Sequence, residues 1–140
     1  MNYLIHQLMN DEEINFIKKE LDNCSHHWED GKKTAGSQAA IVKNNLQLNR
    51  NSEVSRQNSQ LISKKILSDD LIKSYSLPKI INGIMFTKSA KNMHYGRHID
   101  NPYMPFGRSD LSFSLSLSNK DLYEGGELII ETMNSEKNLS

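Results

Sequence analysis

The chain has 140 residues, with 17 lysines plus arginines against 17 aspartates plus glutamates, so its formal net charge is zero. That length suits one domain with a single core, and the even charge balance lacks the basic footprint of a nucleic-acid binder. Apolar residues make up 36% and the mean hydropathy is −0.63, so the core is expected to be thin or completed from outside the chain. No stretch approaches the roughly eighteen consecutive apolar residues of a membrane-spanning helix.

Cys24 is the only cysteine, which excludes an intrachain disulfide and fits a reducing compartment. The opening "MNYLIHQLMNDEE" has no basic stretch followed by an apolar run, so no signal peptide is expected and the chain reads as cytoplasmic.

Residues 10–22, "NDEEINFIKKELD", predict a first helix. Asn10 is a capping residue, Asp11, Glu12 and Glu13 complement the helix dipole in the first turn, and Ile14, Ile17 and Leu21 recur at helical spacing. The next stretch carries the turn signals Asp30-Gly31 and Ala35-Gly36 and reads as short strands or irregular structure anchored by Trp28. Residues 52–76 predict a second, moderately amphipathic helical region, which Pro78 closes.

From residue 79 the period changes. "KIINGIMF" reads as a short strand ending near Thr87. "DLSFSLSLSN" then alternates, with Leu111, Phe113, Leu115 and Leu117 on one face and Ser112, Ser114, Ser116 and Ser118 on the other, and predicts a half-buried strand. In "DLYEGGELIIE", Gly125-Gly126 supplies a turn with positive backbone angles and "ELIIE" a further strand. Helices precede strands, so the expected class is α+β, mainly β in its second part. Residues 1–78 form its helical and irregular part and residues 79–140 its strand-rich part.

The chemistry concentrates in "MHYGRHID", residues 93–100. On a strand, His98 and Asp100 would share a face and could meet one metal ion. An imidazole nitrogen plus a carboxylate oxygen, completed by a distant histidine, is the donor set of the non-haem iron facial triad. By itself the tripeptide is weak evidence for a metal and reads more readily as the polar rim of a half-buried strand. His94 lies four residues before His98, roughly 13 Å in an extended chain, too far to share that ion. His6, His26 and His27 read as ordinary surface residues. Arg108 and Asp110 read as an ion pair at a strand start. Cys24 reads as a buried small side chain. The alternating serines have no base placed near them.

Three ordered blocks decide between the two readings. "WEDGKKTAGSQAAIVKNNLQL", "NMHYGRHIDN" and "RSDLSFSLSLSNKDLYEGGELIIE" together resemble the PKHD-type hydroxylases, a bacterial branch of the Fe(II)/2-oxoglutarate dioxygenases related to prolyl 4-hydroxylases. The resemblance implies a double-stranded β-helix, or jelly roll, with the N-terminal helices packed outside. It makes His98 and Asp100 two of three ligands to Fe2+, with 2-oxoglutarate as co-substrate and L-ascorbate keeping the iron ferrous. The substrate it implies is a small molecule or a protein side chain. Lys43-Asn44-Asn45 recurs in the family pattern, and the sequence assigns it no mechanism.

The family's second histidine ligand and the arginine that holds 2-oxoglutarate follow the block ending "GGELIIE". Here that block is followed by "TMNSEKNLS", with no histidine or arginine beyond Arg108. Ser89 also stands where the pattern has a tyrosine near the co-substrate. The expectation is therefore a C-terminally truncated member whose last barrel strands are missing. Its isolated chain would be marginally stable and inactive, needing a second chain to complete the barrel. The alternative is an inactive remnant or a weak metal-binding module.

Overall fold

The computed structural model describes residues 3–104, 107–131 and 136–139. Helix α1 spans Asp11–Asp22 and begins as its residue types predict. The Asn10 side chain accepts the Glu13 N–H at 2.9 Å, and the Glu13 carboxylate accepts the Asn10 N–H at 3.1 Å. This capping box satisfies two N–H groups that the helix itself cannot pair. Ile17 and Leu21 are buried and Ile14 packs beside them. Asn10→Ala is expected to lower stability by about 0.5–2 kcal/mol, read as a shift of the urea midpoint at unchanged slope.

Residues 52–76 fold as two helices, not one. Helix α3, Glu53–Ser68, is capped by Ser52, and its buried Ile62 and Ile66 join the core against α1. Asp69 then leaves the helical region (φ −74°, ψ 122°), and its carboxylate accepts the Ile72 N–H at 2.8 Å, starting α4 at Asp70–Ser76. The aspartate competes for the backbone as short polar side chains do, which turns one predicted helix into two. Leu77 closes α4 in the left-handed region (φ 46°), and Pro78 forbids continuation.

Between α1 and α3 lie β1 (Trp28–Asp30), a 3-10 turn (Gly31–Thr34), the short α2 (Ser37–Ile41), β2 (Lys43–Asn44) and β3 (Leu46–Leu48). Trp28 is the anchor its size implies: its indole N–H donates to the Leu21 carbonyl at 3.3 Å while the ring packs on the core. Buried Cys24 donates its thiol to the same carbonyl at 3.0 Å. The antiparallel sheet β1-β3-β4 uses β4 at Thr87–Lys88 and sets Trp28 opposite Leu48 and Gln47 opposite Thr87. Only the end of "KIINGIMF" approaches this sheet: buried Phe86 lends its carbonyl to the Leu48 N–H at 3.0 Å. Residues 79–86 form no ladder of their own among the described residues.

The later ladders are short: β2 with β5 (His94–Tyr95), β6 (Tyr103–Met104) with β7 (Gly107–Arg108), and β8 (Leu128–Glu131) with β9 (Glu136–Leu139). Gly125 and Gly126, both at positive φ (77° and 75°), make the predicted turn before β8. Part of the tail read as merely polar forms β9, while its residues 132–135 and Ser140 lie outside the described residues.

The alternating segment 111–118 is not a paired strand. Its period survives only in part: Leu115 and Leu117 pack against the core, whereas Leu111 and Phe113 are exposed. Alternation fixes which side chains share a face, but a strand also needs a neighbour for its N–H and C=O groups, and none runs beside it among the described residues. The α+β mixture stands. The ladders among the described residues are small antiparallel pairs and one three-stranded sheet, with no closed barrel.

Two acidic caps link this packing to pH. Lys65, and then the Asn10 N–H, hold the Glu13 carboxyl below its usual value. The Ile72 N–H, then His6, do the same for Asp69. A carboxyl held down in the fold contributes stability that is full above its unfolded pKa and lost as pH falls through the lower folded value. The melting temperature is therefore expected to fall on acidification below about pH 4, with Glu13→Gln making that fall shallower.

Candidate metal centre

The segment carrying His98 and Asp100 is fastened at its start. Asn92, in the left-handed region (φ 67°), turns the chain into β5. The Asn44 side chain donates to the Asn92 carbonyl at 3.1 Å, and β2 pairs with β5 in the register Lys43 with Tyr95 and Asn44 with His94. The Gly96 N–H then donates to the Val42 carbonyl at 2.7 Å. A Cβ on Gly96 would stand 3.0 Å from Val42 Cβ, so this close approach favours a residue without a side chain.

Beyond Gly96 the ladder stops, and His98 and Asp100 sit on irregular backbone instead of the expected strand. They meet nonetheless. His98 Nδ1 donates to the Gly96 carbonyl at 2.8 Å, and because a carbonyl only accepts, the proton is fixed on Nδ1. The other ring nitrogen, Nε2, then faces Asp100, with Nε2 and Oδ1 3.4 Å apart. That is long for a charge-assisted hydrogen bond. It matches the roughly 3.0–3.4 Å between two ligand atoms each about 2.1 Å from one ion. A ligating histidine whose other nitrogen is held by a carbonyl is the usual arrangement around a metal, so the pair fits an iron ion.

The Tyr95 ring stacks on the His98 imidazole, with centroids 3.8 Å apart and planes inclined by 11°. Burial, and then Asp100, push its phenol pKa up. Arg97 reaches Glu131 of β8 at 2.6 Å, tying the segment to the last hairpin. Both side chains open to solvent. Among the described residues no group of three histidines, cysteines or carboxylates converges as a metal site.

The other candidates fall where ordinary structure would put them. His94 sits on β5 beside Asn44, and alternation along the strand sends it to the side opposite Tyr95. His6 pairs with Asp69 at 2.8 Å, His26 and His27 lie against each other, and Arg108 pairs with Asp110 at 2.6 Å. Ser89 is exposed just after β4.

Lys43 is the residue whose role the sequence did not disclose. It is 3% exposed, and its ammonium lies 4.9 Å from the Tyr95 ring centroid and 3.4 Å from Gln47 Oε1. Among the described residues no carboxylate reaches ion-pair distance of it. Burial, helped by Arg50, pulls its pKa down. The rest of the first motif block closes around it. The Gly31 N–H donates to the Asn45 carbonyl at 2.9 Å, a Cβ on Gly31 would collide with Asn45 Oδ1, and the Thr34 hydroxyl sits between the Gly31 carbonyl and Gln47 Oε1. Gly31, Thr34, Lys43, Asn45 and Gln47 are thus one polar cluster, which the β2–β5 pair joins to the strand leading into the His-x-Asp segment. The signal was the polar run Lys43-Asn44-Asn45 beside apolar Ile41-Val42, but only the β2–β5 pairing reveals its neighbour.

No family model matches the chain. Curated relatives do. A PKHD-type hydroxylase of Prochlorococcus marinus strain MIT 9301 is 78% identical over 138 residues, which are 98% of this chain and 62% of that protein. PKHD-type hydroxylases of strains AS9601 and MIT 9515 are 67% and 64% identical over 97% and 99% of the chain. The chain spans 62% and 63% of those two proteins. No described helix is long and apolar enough to cross a membrane. With this identity along nearly its whole length, the chain belongs to the PKHD-type hydroxylase family.

Proposed function

We propose that the chain carries two of the three protein ligands, His98 and Asp100, of an Fe(II)- and 2-oxoglutarate-dependent hydroxylase built on a double-stranded β-helix. The observation that carries this reading is the His98 geometry: Nδ1 tied to the Gly96 carbonyl at 2.8 Å and Nε2 3.4 Å from Asp100 Oδ1. The bound iron supplies oxygen activation, so that 2-oxoglutarate, O₂ and a C–H bond of the substrate give succinate, CO₂ and the corresponding alcohol. The role of these residues would be to fix the imidazole tautomer and to offer the ion one neutral and one anionic donor. Ascorbate serves to keep the iron ferrous. The substrate is a small molecule or a protein side chain. The second histidine, which is the third ligand, and the arginine for the co-substrate come from the portion of the relatives that this chain does not span, or from a second chain that supplies it.

The test joins this chain to that remaining portion of the strain MIT 9301 relative and measures succinate with Fe(II), 2-oxoglutarate and ascorbate. Succinate formation by the fusion, lost in its His98→Ala form and absent from the 140-residue chain alone, is the expected result. Equal succinate with and without His98 would overturn the assignment.

A further inference from the structure

The buried Lys43 ammonium has no carboxylate within ion-pair distance among the described residues. An unpaired buried cation is costly, and such a group persists where its surroundings hold it. What it touches is specific: the face of Tyr95, 4.9 Å from the centroid, and the Gln47 side-chain oxygen at 3.4 Å. Cation–π contacts of this kind strengthen when shielded from water. Tyr95 in turn stacks on His98 at 3.8 Å. The other hold on the His98 ring is the Gly96 carbonyl, and the Gly96 N–H is bound by Val42. Both constraints on the imidazole therefore trace back to Val42-Lys43.

We propose that Lys43 is a positioning residue for the metal centre: its ammonium holds the Tyr95 ring against His98, so that the imidazole presents Nε2 toward Asp100. The inference rests on His98 and Asp100 being metal ligands. The charge works at one remove, through an aromatic ring, and does not touch the ion. Lys43→Met keeps the stem and removes the charge, which separates this role from a structural one. Removing an unpaired buried charge leaves folding stability unchanged or raises it, whereas losing the clamp frees the imidazole.

The test has two arms. In the metal-free chain, the His98 Hε1 proton resonance carries a ring-current displacement from Tyr95. Tyr95→Leu sets the unstacked position, Lys43→Met is expected to move the resonance toward it, and Lys43→Arg is expected to restore it. In anaerobic equilibrium dialysis against Fe(II), Lys43→Met is expected to weaken binding by about 10–100-fold, the range for outer residues that orient a ligand, with Lys43→Arg recovering most of it. Unchanged Hε1 position and Fe(II) affinity in Lys43→Met overturn the proposal, as does affinity lost only in step with the melting temperature. If His98→Ala binds Fe(II) as the unaltered chain does, the ligand assignment fails first and the role of Lys43 fails with it. If His98→Ala abolishes binding and Lys43→Met does not alter it, only the positioning role fails.

Discussion

Alanine in place of Leu48 is expected to destabilise the chain by about 2–5 kcal/mol, the range for emptying a buried leucine site. Leu48 is 2% exposed. It faces Trp28 across the β1–β3 ladder and takes the Phe86 carbonyl on its N–H, so a cavity there loosens three segments together. Domains of this size are stable by about 5–15 kcal/mol, so the upper end of the range would leave much of the chain unfolded. Leu111→Ala is the contrasting case. The alternating sequence pattern places Leu111 on a buried face, but Leu111 is 59% exposed, and its loss is expected to stay within about 0.5 kcal/mol. Urea denaturation of both variants checks the pair. A large loss at Leu111 would mean that the alternating segment is buried after all.

His98→Ala is expected to lower Fe(II) affinity by more than about 100-fold, since even residues that merely orient a ligand account for 10–100-fold. Asp100→Ala should act alike, while His94→Ala should leave the affinity unchanged because β5 carries His94 to the other side of the strand. Folding stability should barely respond to any of the three, because all three residues are exposed. Anaerobic equilibrium dialysis of the three variants, with a melting curve for each, separates ligand loss from unfolding.

The local rules were legible where the chain decides its own structure. Asn10 with Glu13 three residues on marks a helix start whatever surrounds it, and Gly125-Gly126 marks a turn because positive φ penalises other residues. The break at Asp69 was less visible. An aspartate within a helical pattern is unremarkable until its side chain is seen to capture the Ile72 N–H. The segment 111–118 shows the opposite limit: faultless alternation gives a face, but pairing depends on a neighbour that the pattern does not contain. The site divided along the same line. His98 and Asp100 are proposed as ligands from residue type and spacing within a family pattern. Lys43 is more than fifty residues away in sequence and joins them only through the register that pairs it with Tyr95, a non-local fact with no local signature.

Metal binding by His98 and Asp100 in this chain can be read by titrating Mn(II), an oxygen- and nitrogen-binding stand-in for Fe(II), into the isotopically labelled 140-residue chain. The reading is which backbone amide signals the paramagnetic ion broadens. Broadening is expected to centre on residues 97–101, to spread to Lys43 and Asn44 across the β2–β5 pair, and to vanish in His98→Ala. Broadening centred instead on the acidic first turn of α1, or unchanged in His98→Ala, would contradict metal binding by this pair.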